Sequence, residues 1–312
     1  MKLRHHEDIR TLAFVGIYFF LVVAQWFDWI TFGGSLVILP VLTCVFSFFG
    51  AVITHNTVHS PVFESARINR MFQVVLSLTY GSAVSAFVPG HNLSHHRYMQ
   101  GAKDVMRTTK VRHRWNLLNL FEFAPRVAVS IIKNDLRFVD QMKRRRSPWF
   151  RQYMMESWAV ILVTAVLLVL DWQKALLVWL IPHIYAAWGI ITINYLQHDG
   201  CDPDHPYNHS RNFVGRTVNW WTFNNGLHGV HHNNPGLHWS RARQEHERLM
   251  VPHMDPRLNE ASLVLYLLRA FIWPGIRTHY DGTEIPLPPR VADESWVPEN
   301  INSAQDMGAV GT

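Results

Sequence analysis

Cysteine is almost missing from this chain of 312 residues, with only Cys44 and Cys201 present. Two thiols exclude a disulfide-stapled scaffold, an iron–sulfur cluster and a Cys-rich zinc site. Charge is scarce too, at 17% of residues against 48% hydrophobic. That balance excludes a disordered chain, and the length corresponds to one large domain or two modest ones. No cleavable leader is apparent, because the first apolar stretch is too long and lacks a small-residue cleavage site. The basic run Lys143-Arg144-Arg145-Arg146 has no nucleic-acid-binding motif around it and reads as a lipid-surface anchor. What the chain has in excess is aromatic rings, with 13 Trp and 18 Phe, and histidine, 19 in all.

Four stretches reach membrane-spanning length: 11–30, 32–54, 153–170 and 174–196. At about 1.5 Å per residue each covers roughly the 30 Å of a hydrocarbon core, allowing for tilt. The first two meet at a Gly-Gly turn region and the last two at Asp171-Trp172-Gln173, so the pattern predicts two hairpins. Trp26, Trp29 and Trp172 near those turns match the aromatic belt of a bilayer interface. Three Lys/Arg precede the first span, sixteen lie between His55 and Gln152, and nine follow His198. The positive-inside rule then puts both termini and the long middle segment in the cytoplasm. The expected fold is an all-α membrane protein: four transmembrane helices in two hairpins, with a cytoplasmic helical cap.

The histidines are clustered. Box one is His55 and His59, box two is His91, His95 and His96, and box three is His228, His231 and His232. A ninth, His198, ends the last span, with Asn194 one helical turn before it. Spacing i, i+4 in box one puts both imidazoles on one helix face, and His91 and His95 repeat that spacing. Nine imidazoles exceed the roughly six positions of one octahedral ion, whereas two ions with four or five ligands each use them all. Imidazole suits Fe, Zn, Cu and Ni alike. Structural zinc needs only four ligands, and a zinc protease would need the Glu that box one, H-N-T-V-H, lacks. A redox dimetal site is what remains.

For boxes one and two to share a membrane face, the chain between them must cross an even number of times. Met71–Pro89 is long enough for one crossing at most and is broken by Gly81, so it is expected to dip or lie flat. All nine His can then face one cytoplasmic cavity, within reach of an aliphatic chain in the bilayer and an electron donor in the cytosol.

At this point the chain resembles the integral-membrane fatty acid desaturase superfamily, whose signature is three such boxes spread around two transmembrane hairpins. His55/His59, His91/His95/His96 and His228/His231/His232 match in order, spacing and topology over about residues 12–280. Asn194 and His198 resemble that family's extra Asn-x-x-x-His, in which the His is a ligand and the Asn reaches the metal through water. The stretch from Asn194 to His198 is also similar to the alkane monooxygenases, which, like the carotenoid ketolases, carry multi-His dimetal sites. The resemblance implies two non-haem iron ions, O2 as co-substrate, and insertion of a double bond into a lipid or acyl substrate. Hydroxylation or ketone formation on the same platform is the alternative, and a non-enzymatic metal transporter or sensor a remote one, since only His183 sits deep in a span. Two departures stand out. Asn56 occupies a position where many acyl desaturases carry an acid, and the absence of a His-Pro-Gly-Gly haem signature implies a separate electron donor, ferredoxin-like or a similar reductase chain. A bacterial inner membrane is favoured over the endoplasmic reticulum, and nucleic acid is not expected as a partner.

The remaining polar residues have plainer readings. His113, His205, His209, His246, His253 and His279 read as solvated loop or surface residues, and His5 and His6 as part of a charged leader. His183 is either functional or a hydrogen-bonded packing residue. His238 and Asn225 are expected near the ligands rather than among them. Asp104 and Asp199 either orient ligand imidazoles or make loop ion pairs. Residues 1–280 form the desaturase-like domain, and 281–312, Pro-rich and acidic, read as a mobile tail without chemistry.

Overall fold

In the computed structural model residues 2–287 and 291–297 are described, and the remainder of the expected tail lies outside them. The principal helices are α1 (Ile9–Trp26), α2 (Ser35–Thr57), α3 (Ala66–Tyr80), α4 (Asn116–Arg144), α5 (Pro148–Leu170), α6 (Ile181–His198) and α7 (His228–Asn233). The only regular β pairing among the described residues is a two-residue parallel contact, Asn212–Phe213 with Asn259–Glu260. Four helices are long and apolar enough to span a membrane: His6–Trp26, Ser35–Thr57, Pro148–Leu170 and Trp172–His198. Their extents agree with the four stretches read from the sequence.

The chain divides into two compact units, residues 2–88 with 139–190, and residues 89–138 with 191–287 and 291–297. In the first unit α1 packs on α2, α2 on α3 and α3 on α5. The two hairpin turns are tied to each other by Lys174, whose Nζ donates to the Trp26 carbonyl at 2.9 Å and pairs with Asp28 at 2.6 Å. Asp171 caps the second hairpin, its carboxylate accepting from the backbone N–H groups of Gln173 and Lys174. From Trp158 to Leu170 helix α5 carries no charged residue yet is scarcely covered by protein, with Val169 86% exposed and Leu170 68%. Such a surface is stable only against lipid.

The apolar stretch 71–89 is not one helix. Helix α3 stops at Tyr80, Gly81 adopts a left-handed conformation (φ +76°), and a 3₁₀ turn follows at Val84–Ala86. A Cβ on Gly81 would strike the His183 ring at 2.4 Å, so both backbone and space require glycine there. By length and composition this broken segment counts as a fifth span or as a re-entrant dip. The break strands carbonyls at the end of α3, and side chains satisfy them. Ser47 Oγ donates to Thr79 O at 2.7 Å, and His183 Nε2 donates to Leu78 O at 3.1 Å while lying 2.8 Å from Tyr18 Oη. His183 is therefore a hydrogen-bonded packing residue. Glu156, fully buried in α5, is likewise partnered, accepting from Ser85 N at 2.8 Å and Gln152 Nε2 at 2.7 Å.

The second unit is built from loops and short helices around two anchors. One is an apolar cluster of Leu227, Val230, Met250, Met254 and Leu258, which lies under α7. The other is a buried ion pair: Arg277 Nε lies 3.0 Å from both carboxylate oxygens of Asp199, and its Nη1 donates to Val111 O at 2.8 Å. Tyr195 Oη closes the network 2.9 Å from Asp199 and 2.6 Å from Asn116 Oδ1. Within the segment expected to be mobile, residues 291–297 pack on this unit. Trp296 is buried with its ring 5.8 Å from that of Phe138, and Asp293 pairs with Lys110 and Arg107.

Removing Arg277 would leave the Asp199 carboxylate buried without its cation. Arg277→Leu is expected to destabilise the protein by about 3–5 kcal/mol. Arg257→Leu, which breaks the solvent-facing pair with Asp255, should leave the unfolding midpoint unchanged. Thermal unfolding of the two variants in detergent checks this, and equal midpoints would refute the role given to Arg277.

Candidate metal centre

Box two does not form an ordinary α-turn. Pro89–His95 is π-helical, and the wider turn changes which residues share a face. The nitrogens brought together are His91 Nε2 and His96 Nε2, five residues apart in sequence and 3.0 Å apart in space. The i, i+4 partnership of His91 with His95 expected from the sequence is thus replaced by an i, i+5 partnership, and His95 turns to another group. Box three keeps the α register: His228 Nε2 and His232 Nε2 are 3.1 Å apart across one turn of α7. Gly226, just before α7, lets the chain approach closely, because a Cβ there would sit 2.5 Å from Phe213 O.

Two histidine sets result within the second unit. In the first, ligand atoms of His95, His198, His228 and His232 all lie within 4.8 Å of one another. His198 Nε2 is 2.9 Å from His228 Nε2 and 3.1 Å from His232 Nε2. In the second, His96 Nε2 is 3.0 Å from His91 Nε2 and 2.9 Å from His231 Nε2. The sets abut, since the rings of His96 and His232 are stacked with centroids 4.5 Å apart. His55 and His59 of box one belong to the other unit, at the end of α2, where their ring centroids are 5.6 Å apart.

The proton inventory of the first set identifies what fits between the rings. The Nδ1–H of His198 donates to the His209 carbonyl at 3.0 Å, and a carbonyl can only accept. The Nδ1–H of His95 donates to Asp104 Oδ2 at 3.0 Å. A neutral imidazole carries one N–H, so the Nε2 of each ring presents a lone pair. His95 Nε2 is buried without a hydrogen-bond partner among the described residues. The His198 lone pair thus faces His228 Nε2 and His232 Nε2 at about 3 Å, and such a donor among other imidazole nitrogens is what a metal ion takes. Two nitrogens bound at a right angle to one ion at ~2.1 Å stand ~3.0 Å apart, which is the spacing seen. Burial, followed by the surrounding imidazoles, pushes His232 well below the usual histidine range and keeps it a neutral donor. The residues fit a metal.

Residues 33–259 match the fatty acid desaturase family. The chain belongs to that family. No curated protein matches the sequence. All three boxes, with Asn194 and His198, fall inside the matched region. A fatty acid desaturase is an oxidoreductase that acts on lipid, and the histidine sets are groups that could hold a metal ion.

Several residues around the desaturase site differ from their sequence readings. Asp104 orients His95, one of the two roles foreseen for it. Asp199 does not take the equivalent role, because its carboxylate is engaged by Arg277 and Tyr195. His209 and His246, read as surface residues, are each 2% exposed. His209 holds His198 through its carbonyl, while its Nε2 lies 3.1 Å from Asn233 Oδ1. No residue type could have announced this contact, since the group used is backbone. Asn225 offers its carbonyl to Gln197, and His238 caps a short turn, accepting from Ser240 N. Asn194 Nδ2 donates to Met106 O at 3.0 Å, which fixes the amide in place.

Asp104 is fully buried. Burial alone would raise its pKa, but His95 and the backbone N–H groups of Gln100 and Met106 outweigh that and hold it below the ordinary carboxylate range. In Asp104→Ala, the Nδ1–H of His95 loses its acceptor, and nothing then holds the ring in that tautomer. Affinity for Co(II), titrated against a chelator and followed by visible absorption, should fall by about 10–100-fold with the fold retained. Unchanged affinity would show that His95 is not a ligand.

Proposed function

We propose that this desaturase uses O2 and a pair of iron ions to introduce a double bond into a fatty acyl chain. The observation that carries the reading is the convergence of imidazole nitrogens in two adjoining sets, in a chain of this family. One ion would be held by His95, His198, His228 and His232. The other would be held by His91, His96 and His231, with His55 and His59 of box one as further ligands and Asn194 reaching the site through water. Box one is assigned by the order and spacing of the three boxes in the family. It also answers a chemical need, since three imidazoles leave an ion well short of the roughly six positions of an octahedral shell.

When bound, the metal pair supplies the reduction of O2 and the removal of hydrogen from an unactivated C–H bond. The chain's own residues set the conditions. Asp104 and the His209 carbonyl fix the tautomers of His95 and His198, so that both present Nε2. Burial of His95, His198 and His228 excludes water from one side of the site. The position of the substrate chain relative to the metals, to within about an ångström, decides between loss of a second hydrogen and hydroxylation. Electrons come from a separate ferredoxin-like or similar reductase partner. Both termini and the site face the cytoplasm, with a bacterial inner membrane as the setting; the support is the excess of Lys and Arg outside the hairpin turns.

Expression in a host of known lipid composition should yield new double bonds in total fatty acids, with about two iron atoms per chain in the purified protein. His95→Ala is expected to lower product more than about 100-fold while membrane insertion is kept. His113→Ala, at a partly exposed pair with Glu122, should leave product unchanged. Unaltered lipids across a broad acyl panel, or oxygenated products in their place, would overturn the desaturase reading. Absence of iron from the purified protein would overturn the metal assignment.

A further inference from the structure

The second unit presents an exposed apolar surface that holds none of the metal-centre histidines. In the part of α4 that belongs to this unit, every third or fourth residue facing in is buried: Asn119, Phe123, Val127, Ser130, Asn134, Phe138. The opposite face carries Trp115 at its foot, then Leu118, Phe121, Val129, Ile132 and Leu136. These are exposed between 43% for Leu118 and 67% for Leu136. Steps of three and four residues, with exposed Pro125 midway between Phe121 and Val129, make one stripe about 30 Å long at 1.5 Å per residue.

A second apolar surface joins its foot. The short helix Leu263–Ile272 exposes Leu265, Leu268 and Ile272, and Trp273 after it is 84% exposed. The two segments are bonded where they meet: Asn116 N donates to Gly275 O at 2.7 Å, and Trp115 bridges to Ile276. Water-soluble surfaces rarely carry so large a continuous apolar patch.

The flanking charge identifies the covering. Along α4 the stripe is bordered by exposed Lys133 and Arg137, which make no ion pair among the described residues. Glu122, the nearest acid toward the foot, is already engaged by Arg126 and His113. Apolar and aromatic residues on one face with free cations at its edge are the pattern of a helix lying in the plane of an anionic lipid interface. A protein partner would meet the unpaired cations only with acids of its own, whereas the bilayer is already present around the spans.

We propose that the 115–136 stripe and the 263–273 segment together form an in-plane membrane-docking surface, buried at the boundary between headgroups and acyl chains of an anionic leaflet. This surface is separate from the four spans, and the proposal does not depend on which reaction the enzyme performs.

The test uses the full chain in nanodiscs of phosphatidylcholine and phosphatidylglycerol, with Cys44 and Cys201 replaced by Ala. Single cysteines at Phe121, Ile132, Leu136 or Leu268 carry a small fluorophore, and Glu247→Cys, on an exposed position of the same unit, is the aqueous control. A nitroxide on the upper acyl chain should quench the first four at least about threefold more strongly than the control, and aqueous iodide should show the reverse order. Equal iodide quenching at all five positions would overturn the proposal, because the stripe would then face water. Protection of the first four from both quenchers would overturn it in favour of a protein covering, whether a partner or a second copy. Each labelled protein is compared with its parent by elution volume and thermal midpoint, so that a misfolded variant is not scored.

Discussion

The structure is organised around imidazole nitrogens brought to within about 3 Å of one another. Nitrogen atoms of seven imidazoles stand close together in two sets, and in the first set two of the rings have their single N–H group committed elsewhere. A buried lone pair such as that of His95 Nε2, which has no partner among the described residues, is costly without a cation. The outer hydrogen bonds are therefore as necessary as the ligands. They hold His95 and His198 in the tautomer that leaves Nε2 open to a metal. Asp104 does this with a carboxylate and His209 with a carbonyl, two solutions to the same requirement.

The membrane imposes a second constraint of the same kind. Backbone or side-chain polar groups inside apolar helices need internal partners, because lipid offers none. Breaking the 71–89 segment at Gly81 frees carbonyls at the end of α3, and His183 and Ser47 take them up. Glu156, a carboxyl group in a spanning helix, is met by a backbone N–H and an amide. An ionisable residue within a span is by default a functional suspect. Here His183 and Glu156 have structural partners that account for them, which leaves the histidine sets as the candidate site.

Much of this was legible in the chain. The four spans follow from apolar length alone, because the hydrocarbon thickness fixes how many residues a helix needs. The eight box histidines and His198 could be singled out by their clustering. What sequence spacing could not supply was the local turn type. An H-x-x-x-H spacing implies a shared face only if the turn is α-helical, and Pro89–His95 is not. Burial of His209 and His246 was equally hidden, since it depends on tertiary contacts of loops without periodicity. The same holds for residues 291–297, whose composition reads as disorder but whose Trp296 finds a place beside Phe138.

The two His-His dipeptides acquire a reason from this geometry. Neighbouring residues on a helix point about 100° apart, so adjacent imidazoles are poorly placed to serve one ion. His95 falls in one set and His96 in the other; His231 and His232 divide in the same way. Each dipeptide thus contributes one ring to each set, and the ring centroids within both pairs are 5.8 Å apart. Single covalent links from two separate helical segments therefore fix the spacing between the sets. Any ions that the two sets held could not drift apart without distorting a helix.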